Sequence, residues 1–171
     1  ATRTIFKPYQ FKPIIKLLQT GKSRLLIADE VGLGKTIEAG LIWTELEARK
    51  NANRVLIVTP SSLVDKWRSE MENRFNFELI ELDGKTLPAC EAKLDAGRLP
   101  HRGAYIASLS KLRRWENLSN LTGLLKFDLI VFDEAHALRN SMTKSYALGA
   151  LLTEMTDSLV FLSATPLNLH N

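Results

Sequence analysis

Apolar residues in this chain come in two alternating textures: short unbroken runs, and longer stretches in which they recur at every third or fourth position. The runs over residues 24–28, 54–59, 104–108, 127–133 and 159–163 read as strands, as does the more mixed segment 77–82. The run Phe127-Asp128-Leu129-Ile130-Val131-Phe132 is continuous enough to fill the buried centre of a parallel sheet. Helical spacing appears between the runs. Ile37, Leu41, Ile42 and Leu46 mark a helix over about 36–50, ended by turn formers at 51–53. Leu63, Val64, Trp67 and Met71 mark one face of another, to about Arg74, with Pro60-Ser61-Ser62 before it as turn and cap. A short helix near 11–19 starting about Pro13, a helical start over 108–115 and a helix over about 142–155 complete the pattern. Asp83-Gly84-Lys85 reads as a turn, and residues 86–103, broken by Pro88, Gly97 and Pro100, as a short helix with loops. Strands alternating with helices predict an α/β fold, a three-layer parallel sheet with helices on both faces.

Composition narrows the picture little. A chain of 171 residues with 45% hydrophobic content suits one domain with a core of its own. The lone cysteine, Cys90, excludes an internal disulfide and a thiolate metal cluster, which suits a reducing cytoplasm. No apolar run approaches the roughly 20 residues that cross a bilayer, and the first residues lack the apolar centre of a signal peptide, so a soluble chain without a membrane partner is expected. Charge is more informative. The formal net is +4, and Arg3, Lys7, Lys12, Lys16, Lys22 and Arg24 all precede the first acidic residue, Asp29. A second basic stretch gathers Arg98, His101, Arg102, Lys111, Arg113 and Arg114 beside Trp115. The first could meet a polyanion or be the solvated face of an ordinary helix, and in the second Trp115 could stack on a base or be a half-buried core residue.

Candidate chemistry sits at the ends of two strands. After the apolar Leu25-Leu26-Ile27-Ala28 comes Asp29-Glu30-Val31-Gly32-Leu33-Gly34-Lys35-Thr36. Glycines let backbone N–H groups close around an anion, and the following helix adds the partial positive charge of its N-terminus. Lys35 then reaches the β- and γ-phosphates of a nucleoside triphosphate, and the Thr36 hydroxyl faces Mg²⁺. The fit to G-x-x-x-x-G-K-S/T is imperfect, because Asp29 stands at the first glycine position. The second strand ends in Asp133-Glu134-Ala135-His136. Carboxylates at a strand's carboxyl end lie where α/β sheets bind ligands. Asp133 is expected to hold Mg²⁺, partly through water, and Glu134 to orient and deprotonate the attacking water. A surface acidic pair could read the same way in isolation, and His136 alone could be a satisfied structural residue.

In order along the chain, these motifs resemble the first ATPase lobe of the Swi/Snf class of superfamily-two helicase-like enzymes. Residues 28–38 are similar to that class's first motif, in which Asp replaces the usual small residue. Thr59-Pro60-Ser61-Ser62-Leu63-Val64-Asp65-Lys66-Trp67 resembles its next motif, and Asp133-Glu134-Ala135-His136 extended to Asn140 its DEAH box. Leu162-Ser163-Ala164-Thr165-Pro166 resembles the third motif, with Ser-Ala where many eukaryotic members have Thr-Gly. That difference, with Val31 and Glu38-Ala39-Gly40, is similar to the bacterial branch that includes the RNA-polymerase recycling ATPase.

The resemblance implies a RecA-like P-loop lobe over residues 1–171, with ATP and Mg²⁺ as cofactors. It places Gln10 at the adenine, and Gly32, Leu33, Gly34, Lys35, Thr36 and Ile37 around the nucleotide. Lys35, Asp133 and Glu134 become the catalytic set. His136, Ser163, Ala164 and Thr165 couple nucleotide state to nucleic acid, while Pro60, Ser61, Ser62 and Ser108 grip its backbone without reading bases. The implied partners are double-stranded DNA, a second RecA-like lobe of the same parent chain bearing an arginine finger, and RNA polymerase or another protein complex. With no second strand–helix set after the third motif, the segment is expected to be one lobe excised from a longer enzyme. Alone it should bind ATP weakly and hydrolyse it slowly or not at all. A double-stranded DNA translocase is the leading expectation. A strand-separating helicase or restriction-system motor, and a nucleotide-binding interaction module that does not hydrolyse, are the alternatives.

Overall fold

The computed structural model describes residues 23–28, 35–50, 52–98, 103–114, 126–133, 148, 151–152, 154–156 and 158–163. Strands β1 (Ser23–Ala28), β2 (Arg54–Thr59), β3 (Leu79–Glu81), β4 (Gly103–Ser108), β5 (Leu129–Phe132) and β6 (Ser158–Ser163) form one sheet in the order β1-β6-β5-β2-β4-β3. Every pairing is parallel. Parallel neighbours need crossovers, and helices α1 (Lys35–Lys50), α2 (Val64–Phe75), α3 (Thr86–Asp95) and α4 (Leu109–Arg114) lie in them.

The period-two geometry of the strands splits the core in two. Val55 and Ile57 of β2 join Ala39, Ile42, Trp43 and Leu46 of α1 and Val64, Trp67 and Met71 of α2 on one face. Leu56 and Val58 join Leu87 and Cys90 of α3, Leu109 and Leu112 of α4, and Leu148, Leu152 and Met155 on the other. β2 and β5 are central and read as solid apolar runs because both their faces are covered. β3 lies at an edge, and there Ile80 is exposed between Leu79 and Glu81. Helix α2 ends at Asn76 in the left-handed region (φ 57°), whose N–H reaches the carbonyls of Glu72 and Met71.

The expected strands over 24–28, 54–59, 104–108 and 159–163 agree with the structure to within one residue. The third strand, Leu79–Glu81, is shorter than the expected 77–82 at both ends; before it, Phe77 stacks on Phe75 with ring centroids 5.9 Å apart. Residues 86–95 make a longer helix than the interrupted pattern suggested. Pro88 falls in its first turn, where no intrahelical N–H is lost, and Asp83 Oδ1 accepts the N–H groups of Lys85 and Thr86 at its start. Those two N–H donors hold the Asp83 carboxyl below its ordinary range. The serine cap expected before α2 does not form. Ser61–Leu63 is a 3₁₀ turn closed by Leu63 N–H on the Pro60 carbonyl, and neither it nor α2 has a side-chain cap. The expected helix near 11–19 lies outside the described residues, as does most of that over 142–155, of which Leu148, Leu151, Leu152 and Glu154 are helical.

Candidate active site at the carboxyl edge of the sheet

Because all strands run the same way, the segments that follow them emerge from one edge, which is where open α/β sheets bind ligands. Across that edge the order is the end of β1, Ser163 ending β6, Asp133 after β5, Pro60 after β2, and Ser108 ending β4. Lys35 opens α1, the next helix along the chain after β1. β6 alone separates β1 from β5, which puts those two strands two spacings, about 10 Å, apart. Thr36 is buried at 8% exposure, a short polar side chain at the start of α1.

Asp133 is better defined. Its N–H continues the ladder to the Val58 carbonyl at 2.7 Å, and its side chain is 4% exposed. Burying a carboxylate costs several kcal/mol unless donors meet it. Two do so at a single oxygen: Oδ2 accepts the Thr59 hydroxyl at 3.1 Å and the Trp67 indole N–H at 2.8 Å. Thr59 ends β2 and is fully buried, and Trp67 projects from α2 at 3% exposure. The sequence analysis placed both residues in the second motif, and Trp67 on one face of a helix, but assigned neither as a donor to Asp133. A signal existed, since a buried indole N–H needs an acceptor and few are available at the end of an apolar strand.

Ser61 and Ser62 are exposed in the 3₁₀ turn, with Pro60 half-buried before them. Ser108 is fully buried, and its hydroxyl accepts the Lys111 N–H at 3.2 Å as the cap of α4. Lys111 Nζ bonds Glu81 Oε1 at 3.0 Å, a contact that raises its pKa, and Arg68 lies 3.8 Å from the same carboxylate. Ile37 is half-buried on α1. Gln10, Gly32, Leu33, Gly34, Glu134, His136, Ala164 and Thr165 lie outside the described residues, and for Lys35 and Ser163 only the backbone is described. Among the described residues no helix is long and apolar enough to cross a membrane.

The donor set fits Mg²⁺. A threonine hydroxyl and a carboxylate are hard oxygen ligands, and Mg²⁺ is held through one or two carboxylates plus substrate phosphates rather than a protein cage.

Residues 12–170 match the SNF2-related domain family. The uncharacterized ATP-dependent helicase YqhH of Bacillus subtilis is 33% identical over 94% of this chain and 26% of its own length. RNA polymerase-associated protein RapA of Pseudomonas aeruginosa is 38% identical over 84% of the chain and 15% of its own. The Sulfolobus solfataricus SWI2/SNF2 ATPase core in complex with dsDNA superposes with a TM-score of 0.74 at 20% identity, covering 95% of this chain and 32% of that one. The chain thus spans about a quarter or less of the length of these curated relatives.

Proposed function

Because this chain belongs to the SNF2-related domain family, we propose that it is the first, ATP-binding lobe of a motor that hydrolyses ATP to move along double-stranded DNA. The observation that carries the reading is the buried Asp133 at the carboxyl end of a central parallel strand, on the same sheet edge as the helix opened by Lys35 and Thr36. Electrostatic interactions are stronger in a buried, low-dielectric site than in water. In this reading Gly32–Thr36 wrap the phosphates, with Lys35 on the outer ones and Gln10 on the base. Thr36 and Asp133 hold Mg²⁺, whose contribution is to neutralise charge on the phosphate oxygens. Glu134 positions and deprotonates water, and His136 with Ser163, Ala164 and Thr165 passes the nucleotide state on. Pro60, Ser61, Ser62 and the Ser108 turn lie on the flank given to the nucleic-acid backbone. The second lobe adds an arginine worth about 10³ to 10⁵ in rate. The named association of the RapA relatives makes RNA polymerase the protein complex to try first. Such a machine works in the cytoplasm.

The test is steady-state ATP turnover by the full-length protein with and without duplex DNA, beside strand displacement on a forked duplex. Stimulation by duplex, abolition by Lys35→Ala and Glu134→Gln, and no strand separation are expected. Turnover indifferent to DNA, or persisting in Lys35→Ala, overturns the reading.

A further inference from the structure

We infer that Thr59 and Trp67 are positioning residues for Asp133, a two-donor clamp that sets how its carboxylate meets the divalent cation; this rests on the reading of Asp133 as a Mg²⁺ acid. Both donors end on the same oxygen, Oδ2, at 3.1 and 2.8 Å, so the carboxylate's rotation is fixed rather than averaged. The indole N–H can only donate, and its ring is held in the core between α1, α2 and the sheet. The threonine comes from the neighbouring strand β2, whose backbone also receives the Asp133 N–H. Strand and helix thereby address one oxygen from two independently packed elements. Thr59 is fully buried, and valine there would keep the bulk while removing the hydroxyl that donates to Oδ2. Outer-shell donors of this kind orient metal-binding carboxylates, and their loss lowers metal affinity about 10- to 100-fold.

A merely structural hydrogen bond would move the melting temperature and leave metal affinity in place. The experiment is therefore a Mg²⁺ titration of the full-length protein in the presence of a fluorescent ATP analogue, followed by binding rather than turnover, with melting curves alongside. Thr59→Val and Trp67→Phe should each raise the Mg²⁺ midpoint about tenfold or more, and Thr59→Ser, which keeps the hydroxyl, should restore it. If Trp67→Phe does not fold, the Val and Ser variants at Thr59 decide. Wild-type Mg²⁺ midpoints in Thr59→Val and Trp67→Phe, beside a raised one in Asp133→Asn, overturn the clamp alone. A wild-type midpoint in Asp133→Asn overturns the underlying assignment of the metal acid and the clamp with it.

Discussion

Asp128 and Asp133 flank β5, and both bond to residues of or beside β2, yet they are held in opposite ways. At the amino end, the exposed Asp128 Oδ2 accepts the backbone N–H groups of Asn53 and Arg54 at 2.7 and 2.9 Å. At the carboxyl end, the buried Asp133 Oδ2 accepts two side chains. Main-chain donors exist whatever the sequence, so Asp128 serves to pin the start of β2 against β5 and asks nothing particular of its neighbours. Asp133 needs a threonine and a tryptophan from separate elements. A buried carboxylate has to be met by donors, and here they come from side chains of two separate elements.

The sharpest way to break that contrast is Asp133→Asn, which keeps the shape and removes the charge. Turnover of the full-length protein should fall about 10²- to 10³-fold, near 3–4 kcal/mol of barrier, with circular dichroism unchanged. An intermediate perturbation comes from Gly40→Ala. A Cβ at Gly40 overlaps the ring of Phe75, where α1 crosses α2, and the ring can leave only by giving up its stack on Phe77. Overpacking should outweigh the better helix propensity of alanine and cost about 1–2 kcal/mol in urea unfolding. Since α1 carries Thr36 and α2 carries Trp67, nucleotide binding should weaken as well; unchanged binding would show that the carboxyl edge is insulated from this helix contact. The mildest change is Asp128→Ala. It should lower unfolding free energy by about 1 kcal/mol and leave turnover alone, so a loss of turnover would dissolve the distinction between the two ends of β5.

Much of this architecture was legible in the sequence because central parallel strands are covered on both sides and must be apolar, as at Leu129–Phe132 and over Val55, Leu56, Ile57 and Val58. The edge strand was overextended because Phe77 is apolar for a different reason, its stack on Phe75. The helix over 86–95 was blurred by Pro88, whose place in the first turn costs nothing. Ser61 and Ser62 have the composition of a cap but sit in a 3₁₀ turn, whereas Ser108 does cap its helix. Asp133 was found from its position at the end of a strand. Its two donors were not, because Thr59 and Trp67 lie 74 and 66 residues away along the chain, and their convergence is a product of strand order rather than of local pattern.

The indole bonded to Asp133 has a practical corollary. Tryptophan emission responds to the electric field across the ring, and here the ring's only polar atom ends on the acid assigned to the cation. The protein thereby contains a native optical reporter at its proposed metal site, readable without a dye or label, against the emission of its other two tryptophans, Trp43, buried on the neighbouring helix, and Trp115.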